Sequence, residues 1–254
     1  MWSGMNGSAA SSPPGARPGI SGVPASSSTG TSRWEVRTRS VDLPGPAGRL
    51  EGILNSGNPD APLAALVCHP NPEYGGTMHH KVVYRAMKVL NAPEFGFGYP
   101  VLRFNFRGTG LSQGKHDGKA EVEDVLAALD WLDDQFHLPL VVAGFSFGAA
   151  MALWACCGPQ KSRHAMRALI ALGLPTQADG RAYHYRFLRE AAVPKLFLSG
   201  DHDDFGPAAQ LAEVTGSAAD PKRLIFIPGA DHFFTGQLEP MQQALSSWLR
   251  EQVA

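Results

Sequence analysis

The chain has 254 residues, 44% of them apolar, which suits one large α/β domain with an ample core. Formal net charge is −1, and no basic run exceeds a few residues, which argues against nucleic acid as a partner. No stretch approaches the roughly 18 consecutive apolar residues of a membrane span.

Residues 1–32 stand apart: 25 of the 32 are Ser, Gly, Pro, Ala or Thr, without hydrophobic periodicity. That composition predicts a disordered tail, 1–32, ahead of one folded domain, 33–254. The tail lacks the basic start and apolar run of a signal peptide. From Arg33 onward, strand and helix signals alternate. Strands are predicted over Arg33–Val41 and Leu50–Asn55, around the turn Pro44-Gly-Pro-Ala-Gly48. A strand over Leu63–Cys68, a helix over Lys81–Leu90 and a strand over Pro100–Phe104 follow. Val122, Val125, Leu126, Leu129 and Leu132 recur at helical spacing and predict a helix over Lys119–Phe136. Pro139–Ala143 reads as a buried strand and Ala149–Ala155 as a helix. Beyond them lie a strand at Ala168–Leu172, a helix at Arg181–Ala191 and strands at Lys195–Ser199 and Leu224–Ile227. An amphipathic helix over Leu238–Gln252 closes the chain. This alternation predicts a mostly parallel sheet with helices on both faces.

Gly144-Phe-Ser-Phe-Gly148 lies between the Pro139–Ala143 strand and its helix. In that setting G-x-S-x-G is a nucleophile elbow: a cramped turn that lifts the serine above the sheet edge, at the positive end of a helix. A serine hydroxyl needs a base to take its proton, and the base needs an acid to orient it. In an open α/β sheet such groups sit after the carboxyl ends of strands. Gly200-Asp-His-Asp-Asp204 follows one late strand and Pro228-Gly-Ala-Asp-His-Phe-Phe234 follows the last. His232 is the base that fits, because it lies between the last strand and the last helix. Asp201, Asp203 and Asp204 all qualify as the acid. The oxyanion hole takes one backbone N–H from Phe147, after the nucleophile, and one from the loop following Leu63–Cys68. Pro70 and Pro72 have no N–H. Asn71 between them is the candidate, with Glu73 or Tyr74 as alternatives.

His69-Pro-Asn-Pro-Glu-Tyr-Gly-Gly76, Arg103-Phe-Asn-Phe-Arg-Gly-Thr-Gly110 and the elbow, taken with Gly200-Asp-His-Asp203 and Gly229-Ala-Asp-His-Phe-Phe234, resemble the α/β-hydrolase superfamily. More closely, they are similar to its small, lidless bacterial-type esterase-like serine hydrolases, over about residues 33–252. The chain order Ser, Asp, His is that family's. The resemblance implies an α/β-hydrolase fold with minimal or no cap. It implies Ser146 as nucleophile, His232 as base, Asp203 as acid, and the N–H groups of Phe147 and Asn71 as oxyanion hole. Where the family commonly carries an aspartate before Arg-Gly, this chain has Asn105 and Phe106, which puts that aspartate's role in doubt.

The expected reaction is hydrolysis of a small carboxylic ester through an acyl-enzyme, with no cofactor and no metal. Only about twenty residues separate Leu172 from Lys195, which predicts an open cleft. Tyr74, Met78, Phe145, Tyr183, Tyr185, Phe205 and Phe233 are candidate pocket residues. A peptidase or acyltransferase with the same triad, or a non-catalytic binding protein on the same fold, are the alternatives. Gly75-Gly76 and Gly108-Thr-Gly110 read as tight turns and not phosphate loops. Adjacent His79 and His80 do not converge on one metal, and read as structural or cleft-lining. Cys68, Cys156 and Cys157 form no disulfide framework and fit a reducing, cytoplasmic setting.

Overall fold

The computed structural model describes residues 34–178 and 181–253. The expected tail at 1–32 lies outside the described residues. The chain builds β1 (Thr38–Gly45), β2 (Gly48–Asn55), β3 (Ala64–Cys68), α1 (Lys81–Asn91), β4 (Val101–Phe104) and α2 (Glu121–Phe136). It continues through β5 (Leu140–Phe145), α3 (Phe147–Cys157), β6 (Met166–Leu172) and the two-residue strands β7 (Gln177–Ala178) and β8 (Arg181–Ala182). It ends with β9 (Lys195–Gly200), α4 (Ala208–Ser217), β10 (Lys222–Ile227) and α5 (Leu238–Val253).

One sheet carries eight strands in the order β1-β2-β4-β3-β5-β6-β9-β10. β2 alone runs against the rest, pairing antiparallel with β1 and β4; every pairing from β4 to β10 is parallel. Parallel strands need crossovers, and α1, α2, α3 and α5 supply buried faces for them. Side-chain alternation along β5 sorts the two cores. Leu140 and Val142 join the layer containing α2 and α3. Val141, Ala143 and Phe145 join the layer containing α1 and α5. β5 is therefore buried on both faces, and its carboxyl end delivers the elbow to the rim. No helix among the described residues is long and apolar enough to cross a membrane.

Two local expectations are corrected. The segment predicted as a helix at Arg181–Ala191 is instead β8, paired with β7, then a single 3₁₀ turn at Arg186–Glu190. Tyr183, Tyr185 and Phe187 recur every second residue, and their packing overrides the helical pattern. Tyr183 stacks on Tyr185 at 6.4 Å, and Phe187 meets Trp154 at 4.6 Å. Tyr185 is buried and donates its hydroxyl to the Pro175 carbonyl. The opening strand starts at Thr38 and runs on through Pro44, which β1 tolerates as an edge strand. α4 has no counterpart in the sequence reading, because only Leu211 and Thr215 of its ten residues are buried.

The loop after β4 is tied down by charge. Arg107 donates from Nη2 to Asp124 Oδ1 at 2.7 Å and from its backbone N–H to Oδ2 at 2.9 Å. Both side chains are buried. Asp124→Ala leaves the buried guanidinium with only the half-exposed Glu123, 3.3 Å from Nη2, and should lower unfolding free energy by about 3 kcal/mol. Urea denaturation of the variant checks this.

Candidate active site

Ser146 follows β5 and caps α3 with φ 54° and ψ −123°, a positive-φ conformation rare outside glycine. Its neighbours explain how the chain tolerates it. A Cβ at Gly144 would collide with the backbone of Gly148, and one at Gly148 with the carbonyls of His69 and Cys68. Bare glycines at both positions let β3, β5 and α3 close on one another. The Ser146 N–H donates to the Leu172 carbonyl at 2.9 Å, pinning the turn to β6. The hydroxyl is left above the sheet.

His232 Nε2 lies 2.9 Å from Ser146 Oγ. Its Nδ1 lies 2.9 Å from each oxygen of Asp203. Asp203 also accepts from the Ser199 hydroxyl at 2.8 Å and from the N–H groups of Phe205 at 2.9 Å and Gly206 at 3.1 Å. Burial pushes this carboxyl up, but the hydrogen bonds and charge of His232, with Ser199 and Phe205, outweigh it and hold the group below the usual carboxylate range. An ionised Asp203 accepts from Nδ1–H, which leaves Nε2 unprotonated and facing the serine O–H. The rings of Phe205, Phe145 and Phe233 surround His232 at 4.5, 5.1 and 5.1 Å. The other acids of the loop are placed elsewhere: Asp201 accepts the Gly229 N–H at 2.7 Å, and Asp204 is exposed.

The loop after β3 sorts the three amides left open by the sequence. Tyr74 N–H donates to the Asn71 carbonyl and Glu73 N–H to Asn71 Oδ1. Both are engaged inside the turn. The Asn71 N–H has no acceptor among the described residues, and Asn71 lines the cleft beside Phe147. Phe147 opens α3, so the helix itself supplies no acceptor for its N–H. His69 holds this loop. Its Nδ1 lies 2.7 Å from the Pro70 carbonyl and its Nε2 accepts the Phe106 N–H at 2.9 Å. Burial pulls its pKa down to about 3, and a neutral ring can serve as donor and acceptor at once. Asn105 is a structural tie. It accepts the Met78 N–H and donates to Glu51 Oε2 at 2.8 Å, a pairing an aspartate would turn into carboxylate repulsion.

The cleft above Ser146 holds about 650 Å³, its open mouth included. Of the pocket candidates, Tyr74, Tyr183, Phe205 and Phe233 line it. Met78, Phe145 and Tyr185 do not. Met78 is sealed in the core, where its carbonyl accepts from Arg103. Phe145 faces the α1/α5 layer and floors His232, and Tyr185 lies behind Tyr183. Pro70, Pro175 and His80 join the lining. Of these, His80 belongs to the histidine pair that the sequence reads as structural or cleft-lining. Among the described residues, no cluster of three His, Cys, Asp or Glu is placed to hold a metal.

The alpha/beta hydrolase domain model matches residues 74–249. An uncharacterized protein of Rickettsia prowazekii is 38% identical over 217 residues, covering 81% of this chain and 86% of its own. The structure of an alpha-beta serine hydrolase homologue from Coxiella burnetii is 32% identical with TM-score 0.72, covering 83% of this chain and 97% of that one. A serine hydrolase without lid from Xanthomonas campestris is 29% identical with TM-score 0.71, covering 87% and 98%.

Two outcomes follow from Asp203. Asp203→Asn should slow fluorophosphonate labelling of Ser146 by about 10³-fold or more, whereas Asp201→Asn should cost less than about tenfold. Because its folded pKa is depressed, Asp203 stabilises the fold above its unfolded pKa, near 4, and loses that contribution as pH falls through the folded value. Urea denaturation from about pH 6 to pH 2.5 should show a steeper acid loss for the wild type than for Asp203→Asn.

Proposed function

The chain belongs to the alpha/beta hydrolase family, and on that premise we propose that it is a serine esterase acting on small carboxylic esters through Ser146, His232 and Asp203. What supports this most is the unbroken line of hydrogen bonds from Ser146 Oγ through His232 to Asp203, at the floor of an open cleft. His232 Nε2 takes the serine proton as Oγ attacks the ester carbonyl. The tetrahedral oxyanion is held by the N–H groups of Phe147 and Asn71. The protonated His232 then passes its proton to the leaving alcohol. Water attacks the acyl-enzyme with the same ring as base, and the acid leaves.

Hydrolysis is favoured over acyl transfer to another acceptor because the cleft is open to water. No cap separates β6 from β9 among the described residues; the connection is the β7–β8 pair and one 3₁₀ turn. The aromatic rim suits an apolar acyl group of limited length. Three unpaired cysteines fit a reducing compartment, which makes a cytoplasmic site of action part of the same proposal.

Ser146→Ala should fold normally and lose both p-nitrophenyl butyrate hydrolysis and all fluorophosphonate labelling. Labelling retained at another serine would sink the assignment. In an acyl series from acetate to palmitate, kcat/KM should peak at short chains. Each methylene contributes about 0.8 kcal/mol only while protein buries it, and the cleft is shallow. A maximum at long chains, or strong activation at lipid interfaces, would show that a segment closes over the site.

A further inference from the structure

His80 precedes α1 and caps it: its Nδ1 accepts the Val82 N–H at 3.3 Å. A ring nitrogen that accepts carries no proton, so the neutral ring bears its single proton on Nε2. Phe145 stacks on the ring with centroids 5.0 Å apart and planes 21° from parallel. Phe233 lies 6.2 Å away. The protein thus sets both the position and the tautomer of this imidazole. Burial, then the charges of Lys81 and His232, pull its pKa down to about 4, so it is neutral at neutral pH. Helix capping alone asks only for a short acceptor, which Asn, Asp, Ser or Thr supplies. The imidazole brings a second polar edge. Its Nε2 has no hydrogen-bond partner among the described residues, the ring is half-buried, and it lines the same cleft as Ser146.

The position of the ring indicates which half of a substrate it meets. Phe145 bridges His80 and His232, at 5.0 and 5.1 Å. The amides of Asn71 and Phe147 define where the carbonyl oxygen sits. The leaving oxygen must face His232 Nε2, because that ring returns the proton. His80 therefore neighbours the alcohol half of the ester. We propose that His80 Nε2–H donates a hydrogen bond to the leaving alcohol, so that the site selects esters whose alcohol carries an ether or hydroxyl oxygen close to the ester linkage. This rests on the esterase reading above and narrows its substrate class to alkoxyalkyl or hydroxyalkyl esters.

The test pairs 2-methoxyethyl butyrate with butyl butyrate, in which one methylene replaces the ether oxygen. The ratio of their kcat/KM values is divided by the ratio of their alkaline hydrolysis rates, which removes the difference in leaving-group chemistry. The normalised ratio should favour the methoxyethyl ester by roughly three- to tenfold in the wild type, the range of one neutral hydrogen bond. It should fall to about one in His80→Ser and His80→Asn, which keep a capping acceptor and lack the imidazole. Melting temperatures check that both variants fold. A ratio unchanged in folded variants, with turnover still dependent on Ser146, overturns this proposal alone. Absence of turnover of either ester by the wild type, or turnover retained in Ser146→Ala, overturns the esterase reading and this proposal with it. A measurement on the wild type needs no variant: long-range ¹H–¹⁵N spectra should show the His80 ring protonated at Nε2. Protonation at Nδ1 instead would overturn the proposal.

Discussion

The close approach of three backbone segments at the elbow is the constraint on which the site depends. β3, β5 and α3 can meet only where Gly144 and Gly148 present no side chain. That contact forces Ser146 to a positive φ, a strain of about 1–3 kcal/mol for a residue with a Cβ. The strain persists because the turn is held from outside by the Ser146 N–H bond to Leu172, and from within by α3, whose Ala149 and Ala150 amides donate to the Ser146 carbonyl. The same contact brings the end of β3 against the start of α3, and so sets the Asn71 and Phe147 amides at one cleft. The strained serine turn and the two cleft-facing amides are two consequences of one packing event.

Electrostatics completes what packing begins. A carboxylate as buried as Asp203 would tend to take up a proton. Hydrogen bonds from Ser199, Phe205 and Gly206 stabilise its charged form before His232 contributes. Those donors come from β9 and the loop that follows it, so the charge state of Asp203 is written into the end of a strand. His232 is then held on one edge by Asp203 and enclosed by Phe145, Phe205 and Phe233. A ring so enclosed keeps its Nε2 on the serine.

The parts of the site that were legible in sequence are those whose signal is local. The elbow is readable because glycine spacing, a strand and a helix coincide within a dozen residues. His232 is readable because it follows the last strand. The sheet's alternation was readable for the same reason. Asp203 is separated from Asp201 and Asp204 in sequence only by the family resemblance, not by residue type or by following the strand. All three sit in one turn, and what distinguishes them is which carboxylate the Ser199 hydroxyl and the Phe205 amide can reach. Pocket residues were harder still. Met78 and Tyr74 share a loop, yet one is sealed in the core and the other is 68% exposed. Side-chain direction in an irregular loop has no period to read. The Arg181–Ala191 segment misled because its aromatic residues follow the packing of Trp154 and Pro175, partners distant in sequence.

Phe145 shows how strand geometry reaches the chemistry. It is one residue before the nucleophile, and strand alternation turns it away from the α2/α3 layer toward α1 and α5. There it lies under the His232 ring on one side and the His80 ring on the other. The position of His232 relative to Ser146 is thus set through two routes that begin at adjacent residues: the hydrogen bond from Oγ and the aromatic floor from Phe145. A change in the register of β5 by one residue would exchange the two faces, removing the floor and the elbow together. The period of two that buries this strand on both sides therefore also fixes the geometry of the hydrogen bond between Ser146 and His232.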